Sequence, residues 1–139
     1  MVTSLERVQA AVIDGRARTP RYIQKQLSIL HNALVNASEK IHTAIVQDSA
    51  QSSAETWLEI HQTLQAVKDQ YSSINFTEFL VAEYSIANGK DRLERRRPYG
   101  CAYILLSRHT RFNSIAQPVA AAIAAGNCVV LEVQEKFPV

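Results

Sequence analysis

The residues whose types are best suited to binding or catalysis lie in one short basic segment, where His109 stands between Arg108 and Arg111. The segment follows an apolar run that predicts a buried strand, and open α/β sheets bind ligands beside the carboxyl ends of their strands. No second histidine, cysteine or carboxylate stands at ligand spacing around His109, so no metal site is expected there. The position of His109 nevertheless makes it a candidate ligand contact rather than an ordinary surface histidine.

The chain of 139 residues contains two cysteines, Cys101 and Cys128, and their spacing matches no CxxC motif. Both fall in apolar runs that predict strands, where cysteine usually packs as a small hydrophobic residue and burial raises the thiol pKa. The sequence offers neither of them an activating base or a helix N-terminus. We therefore expect neither cysteine to act as a catalytic nucleophile.

A cluster of basic residues, Lys90, Arg92 and residues 95–97, is the one local concentration of charge. It permits two interpretations, a contact with phosphate or nucleic acid, or a solvated connector whose arginines pair with Glu94. The second is favoured because the net charge is only +2 and no aromatic side chains are interleaved with the arginines. Nucleic acid is therefore not an expected partner.

Composition excludes several other functional classes. The whole sequence has four glycines, so neither a GxGxxG fingerprint nor a phosphate-binding P-loop can be written in it. Its most apolar window, residues 115–133, is interrupted by polar residues and consists largely of alanine, so no membrane span is expected. The amphipathic N-terminus carries acidic residues and does not resemble a secretory leader, which favours a cytoplasmic location.

The first two thirds of the chain predict helices with recognisable starts. Thr3 and Glu6 form a capping box for a helix over residues 4–14, which Gly15 ends. Thr19 before Pro20 marks the start of a second helix. A box over residues 36–39 predicts a short third helix.

Residues 52–55 open the longest helix, whose apolar residues repeat at spacings of three and four and predict a packed seam. The members of that seam are Trp57, Ile60, Leu64, Val67 and Tyr71. After a break near residues 72–75, residues 76–84 are expected to form a further helix.

From Ile86 the composition changes to a basic connector with glycine and proline. We place a boundary near residue 90, between an N-terminal helical segment, 1–90, and a second unit, 91–139. The second unit predicts a strand over residues 100–107, a helix over 113–125 and a strand over 128–133. Strand, helix and strand in this order form a parallel βαβ unit, whose two strands would leave exposed edges.

These last segments resemble a known family. Ala122-Ile123-Ala124-Ala125-Gly126-Asn127 and the following Val-Val-Leu are similar to the A-I-A-A-G-N and V-V-L-K-P-S-E motifs of the aldehyde dehydrogenase superfamily, nearest its fatty-aldehyde type. Gln117-Pro118 matches the Q-P pair of that family. The resemblance implies an α/β protein, with N-terminal helices followed by an incomplete parallel βαβ unit of a Rossmann-like cofactor domain. It also implies NAD(P) as the family cofactor.

The chain departs from the family at the positions that carry chemistry. Counted back from Gln117, the W-N-Y-P tetrapeptide falls on residues 108–111, so His109 stands where the family has its oxyanion-stabilising asparagine. The lysine of K-P-S-E falls on Glu132, whereas Glu135 retains the glutamate. A carboxylate at this position repels a phosphate-bearing cofactor, so no cofactor binding is expected.

The resemblance places the catalytic cysteine and general-base glutamate of the family beyond Val139. We therefore expect a truncated aldehyde dehydrogenase-like protein, a pseudoenzyme that is inactive by itself. One alternative is an interaction module that forms a homo-oligomer or assembles with a full-length aldehyde dehydrogenase. Another is an accessory protein or small enzyme of a secondary-metabolite pathway that uses the His109 loop.

Overall fold

A computed structural model describes residues 3–49, 51–90, 96–105 and 111–132. Six α-helices and two strands are described in these ranges, and a single 3₁₀ turn, Arg16–Arg18, lies between the first two helices. In chain order the elements are α1 (Ser4–Asp14), α2 (Pro20–Asn36), α3 (Ser38–Asp48), α4 (Ser53–Ser72), α5 (Phe76–Ala87), β1 (Cys101–Leu105), α6 (Arg111–Ala124) and β2 (Cys128–Glu132). The predicted class is confirmed, with helices first and a partial βαβ unit after them.

Two helices begin with the capping boxes that the sequence predicts. In α1, the Thr3 hydroxyl accepts from the Glu6 amide and the Glu6 carboxylate accepts from the Thr3 amide. In α4, Ser52 and Glu55 make the same reciprocal pair. Each box satisfies amide groups that a helix start otherwise leaves without partners.

The box on α4 gives the unfolding free energy a predictable dependence on pH. The hydrogen bond from the Ser52 amide, followed by the one from its hydroxyl, lowers the pKa of Glu55. A folded-state pKa below the unfolded one contributes stability above the unfolded pKa, and this contribution is lost as pH falls through the folded pKa. Glu55→Gln should therefore lose less stability on acidification than the unsubstituted chain, as measured by urea unfolding at a series of pH values. Glu83→Gln, the same charge change on exposed α5, is the control. It should lose as much stability on acidification as the unsubstituted chain, because it leaves the Ser52–Glu55 pair intact.

The starts of α2 and α3 differ from expectation. Thr19 precedes Pro20 as predicted, but its side chain makes no cap bond and its hydroxyl donates to the Arg16 carbonyl. The box predicted at residues 36–39 is absent, because Ala37 is the N-cap of α3 and has helical backbone angles. Ala37 has no side-chain oxygen that could accept a cap bond, and its amide continues the hydrogen bonding of α2 by donating to the Ala33 carbonyl.

The core lies where α2, α4 and α6 meet. Leu27 of α2, Val67 of α4 and Ala120 of α6 are fully buried, and Ile23 is nearly so. The buried stripe of α4 is Thr56, Ile60, Thr63 and Val67.

The predicted α4 seam is therefore only partly right. Ile60 and Val67 belong to the buried stripe, but Trp57 and Tyr71 are exposed. The helix is turned so that Thr56 and Thr63 face inward. Threonine and alanine are small enough to let α4 and α6 pack closely, whereas Trp57 is too large for that seam.

Trp57 has a partner on α3 that the sequence did not indicate. The His42 ring stacks on the indole with centroids 4.6 Å apart and planes 18° from parallel. Its Nε2 lies 3.0 Å from the Ser53 hydroxyl. The two rings meet only once α3 folds against α4, so no local sequence pattern could have indicated this contact.

The two strands form a parallel sheet in the order β1–β2. Cys101 pairs with Cys128 at its amino end and Leu105 pairs with Glu132 at its carboxyl end. Both α1 and α6 pack on these strands. The N-terminal helix is thus part of the structure around the sheet, although nearly the whole sequence separates them.

Helix α5 is the most apolar helix and has no buried residue. Asn75 caps it by accepting from the amides of Thr77 and Glu78. Its large exposed side chains are Phe76, Phe79, Leu80, Val81 and Tyr84. Among the described residues, no helix combines the length and the apolar character needed to cross a bilayer.

Candidate functional site

The carboxyl edge of the sheet is the place where the sequence predicts binding. Leu105 and Glu132 form the last residue pair there, and the Glu132 side chain is exposed. His109 and Glu135, the other two candidate residues, lie outside the described residues. The structure therefore brings one of the three candidates, Glu132, to the predicted edge and leaves the other two as predictions.

The first turn of α6, which follows residues 106–110, is held by α4. The Asn113 amide donates to the Glu59 carboxylate at 3.2 Å. A carboxylate at this position satisfies one free amide of the helix start and lies at the positive end of the helix dipole. The hydroxyl of the fully buried Thr63 donates to the Glu59 carbonyl at 2.7 Å, and its oxygen lies 3.2 Å from the Asn113 side-chain oxygen. Glu59 and Thr63 thus fix the first turn of α6 against α4.

The A-I-A-A-G-N segment, residues 122–127, ends α6. It also makes a hydrogen bond at the amino edge of the sheet, opposite the carboxyl edge where binding is expected. The Gly126 amide donates to the Ile123 carbonyl and the Asn127 amide donates to the Ala122 carbonyl, which is a Schellman motif. Gly126 has a φ of 80°, which glycine adopts without strain. The Asn127 side chain then accepts from the Gly100 amide at 2.9 Å. This motif has a structural function that joins α6, β1 and β2.

The two cysteines are neighbours, contrary to their isolated spacing in the sequence. They form the first pair of the β1–β2 register, so their side chains leave the same face of the sheet. Cys101 is exposed and Cys128 is half-buried, and both are free thiols. Burial raises the pKa of the Cys128 thiol, with a smaller contribution from Cys101. The prediction of a raised pKa is confirmed for Cys128, but the expected burial of Cys101 is not observed.

An open depression of ≈ 440 Å³ lies along the contact between α4 and α6. Its wall includes Asp69 and Gln70 of α4 and the Gln117-Pro118 pair of α6. Glu132 does not line it, so the depression is not part of the carboxyl edge. Within the described ranges, no three histidine, cysteine or acidic residues cluster as a metal site would require.

The comparison with known families decides what this βαβ unit belongs to. A sequence model of the aldehyde dehydrogenase family matches residues 5–139. The chain belongs to the aldehyde dehydrogenase family. The match includes the N-terminal helices as well as the βαβ unit, so both parts derive from one family fold.

Several curated aldehyde dehydrogenases are similar to the chain at low identity. Aldehyde dehydrogenase family 3 member B1 of Mus musculus is 28% identical over 135 residues, which are 94% of this chain and 29% of that protein. Family 3 member A2 of Macaca fascicularis is 27% identical over 139 residues, 97% of this chain and 28% of that protein. The chain thus spans less than a third of the length of these relatives. No solved structure gives a significant match.

Three features of this aldehyde dehydrogenase segment were missed by reasoning from the sequence. They are the Glu59–Asn113 bond, the buried Thr63 contact and the pairing of Cys101 with Cys128. Each joins residues distant in sequence, so no local pattern could have indicated it. The alternating apolar pattern of the strands could have placed both cysteines on one face, but only after the parallel register was known.

Proposed function

We propose that the 139-residue chain forms the N-terminal helical part and first βαβ unit of an aldehyde dehydrogenase fold and does not oxidise aldehydes by itself. The observation that carries this proposal is the environment of its two cysteines. The family mechanism requires an activated thiolate. Burial raises the pKa of Cys128, and no described cation contributes to the shift. Cys101 lies beside it in the same strand pair, at the amino edge away from the expected binding edge.

The proposal includes the loss of the family cofactor. NAD(P) would be expected beside the carboxyl ends of the strands. The described side chain at that end of β2 is the exposed carboxylate of Glu132, which is a poor fit for a ligand that carries phosphate groups. We expect NADP⁺ to be disfavoured more than NAD⁺, because its additional phosphate brings more negative charge toward the carboxylate.

Two measurements on the purified chain test the proposal. The first follows NADH formation from a long-chain aldehyde and NAD⁺, and no aldehyde-dependent rate is expected. The second measures NAD⁺ and NADP⁺ binding by calorimetry, before and after Glu132→Lys. The lysine variant should bind NADP⁺ more tightly than the unsubstituted chain, whereas Glu83→Lys, the same charge change on α5, should not. An aldehyde-dependent rate that disappears in Cys101→Ser or Cys128→Ser would contradict the proposal.

A second candidate function is supported by α5 and by the strand edges. Phe79, Leu80 and Tyr84 are exposed on a helix with no buried residue, and unpaired strand edges readily pair with another chain. This function is assembly with a second copy or with a full-length aldehyde dehydrogenase. Sedimentation over a range of concentrations tests self-assembly. Co-purification with a full-length aldehyde dehydrogenase tests assembly with that enzyme. Leu80→Glu should weaken either association, whereas Ile13→Glu, also at an exposed apolar residue, should not.

Three further parts of the proposal rest on sequence alone. The boundary near residue 90 separates the helical segment from the βαβ unit, and the chain is placed in the cytoplasm. The role of His109 in a repurposed small enzyme is tested by His109→Ala. Loss of an activity in that variant without loss of helical circular dichroism would favour the accessory-enzyme alternative.

A further inference from the structure

The pairing of Cys101 with Cys128 creates a chemical feature that neither cysteine has alone. Their Cα atoms are partners in the parallel register, and both side chains leave the same face of the sheet. Cys101 is exposed, so the pair can be reached by a small reagent, and the thiols are not joined to each other. Cys101 also contributes to the raised pKa of Cys128, after the larger effect of burial.

The spacing of the strands suits a bridged pair of sulfurs better than a direct disulfide. Neighbouring strands lie about 4.8 Å apart, and side chains that leave one face in parallel register keep roughly this separation at Cβ. A disulfide requires Cβ atoms about 3.8 Å apart, so the strands would have to approach by about 1 Å. An atom bonded to both sulfurs at about 2.3 Å, the length of a zinc–thiolate bond, spans the gap without that movement.

The surroundings of the pair select the charge of the bridging centre. Tyr103 and Val130 form the next pair on this face, and Glu132 is the one charged side chain on the face within the two described strands. Two thiolates around a monovalent metal ion would leave a net negative charge without a cation to balance it. A divalent ion such as Zn²⁺ would be neutral with two thiolates but needs further ligands, and no third histidine, cysteine or acidic residue clusters with the pair in the described ranges. A trivalent metalloid that carries one organic substituent is neutral with two thiolates and needs no further ligand. Such a complex suits this face, where burial already disfavours the thiolate of Cys128.

The geometry points to Cys101 and Cys128 as a dithiol site that binds a soft trivalent metalloid centre, such as an organoarsenical, through both sulfurs. With phenylarsine oxide, two S–H bonds break and two As–S bonds form. The two protons leave with the arsenic-bound oxygen as one water molecule. No electron is transferred and no further reactant is needed.

The test treats the reduced 139-residue chain with phenylarsine oxide and follows the adduct by intact mass spectrometry. One phenylarsenic group per chain should remain after a wash with excess glutathione, because a monothiol competes poorly with two linked As–S bonds. Dithiothreitol, itself a dithiol, should remove it. Cys101→Ser and Cys128→Ser should each retain the group at least about 100-fold less well, since the second bond forms at high effective concentration.

A matched variant separates pairing from the mere presence of two thiols. Cys101→Ser combined with Ala102→Cys keeps two cysteines in neighbouring strands but places them on opposite faces of the sheet. It should lose the glutathione-resistant adduct while retaining the helical circular dichroism of the unsubstituted chain. Retention of the adduct by this variant or by either serine variant would overturn the inference. So would a reduced chain that forms no adduct, or one that closes to a disulfide faster than it takes up the arsenical.

Discussion

Replacing Leu27 by alanine is expected to lower the free energy of unfolding by about 2–5 kcal/mol. Leu27 is fully buried where α2 meets Val67 of α4 and Ala120 of α6. The substitution removes a large apolar side chain at a junction that the small Ala120 cannot refill. Few apolar residues in the described ranges are fully buried, so this one site carries a large share of the core.

The measurement is urea unfolding followed by circular dichroism, analysed as a two-state transition. Ile13→Ala is the control, because Ile13 is 86% exposed and its truncation should change the unfolding free energy by no more than about 0.5 kcal/mol. Equal effects at the two positions would show that α2, α4 and α6 do not form the stabilising core.

Replacing Gly100 by alanine should also be strongly destabilising, for two separable reasons. Gly100 has a φ of 106°, which imposes a backbone strain of about 1–3 kcal/mol on other residues. A Cβ atom there would lie 2.9 Å from Val12 Cγ1 of α1. That overlap should add about 1–3 kcal/mol, because valine is stiff and its helix is packed on the strands.

A variant at Gly89 separates the backbone strain from the overlap with Val12. It also has a positive φ, of 69°, but a Cβ atom added there meets nothing within 4 Å. Gly89→Ala should therefore show the backbone strain alone. Combining Gly100→Ala with Val12→Ala should recover part of the loss at Gly100, as a double-mutant cycle measured by urea unfolding would show. Equal losses for the two glycine variants, with no coupling to Val12, would contradict the packing of α1 on β1.

Features determined by a few consecutive residues were predictable from the sequence. The boxes at Thr3 and Ser52 form as expected because all their hydrogen-bonding groups lie within four residues. The same holds for Gly15, which ends α1 in the left-handed conformation. The parallel βαβ order follows instead from the general rule for strand–helix–strand connections. The cap expected near residues 36–39 did not form because α3 begins one residue later than expected, with Ala37 as its N-cap.

Features that depend on distant partners were not predictable. Apolar spacing alone could not show that Thr56 and Thr63, rather than Trp57 and Tyr71, face the core, because the rotation of α4 depends on α6. The stacking of His42 on Trp57 and the pairing of the two cysteines were unpredictable for a similar reason, because each joins residues of two different elements. At the candidate edge, the sequence placed Glu132 correctly at the end of a strand, and His109 and Glu135 stay predictions.

The packing of α1 on the strands has a consequence for the order in which the protein acquires its structure during synthesis. Helix α1 is synthesised well before β1 and β2, the strands on which it packs. Its isolated length of 11 residues is too short for a stable helix in water. Helix α1 must therefore wait for strands that are synthesised much later before it becomes stably ordered.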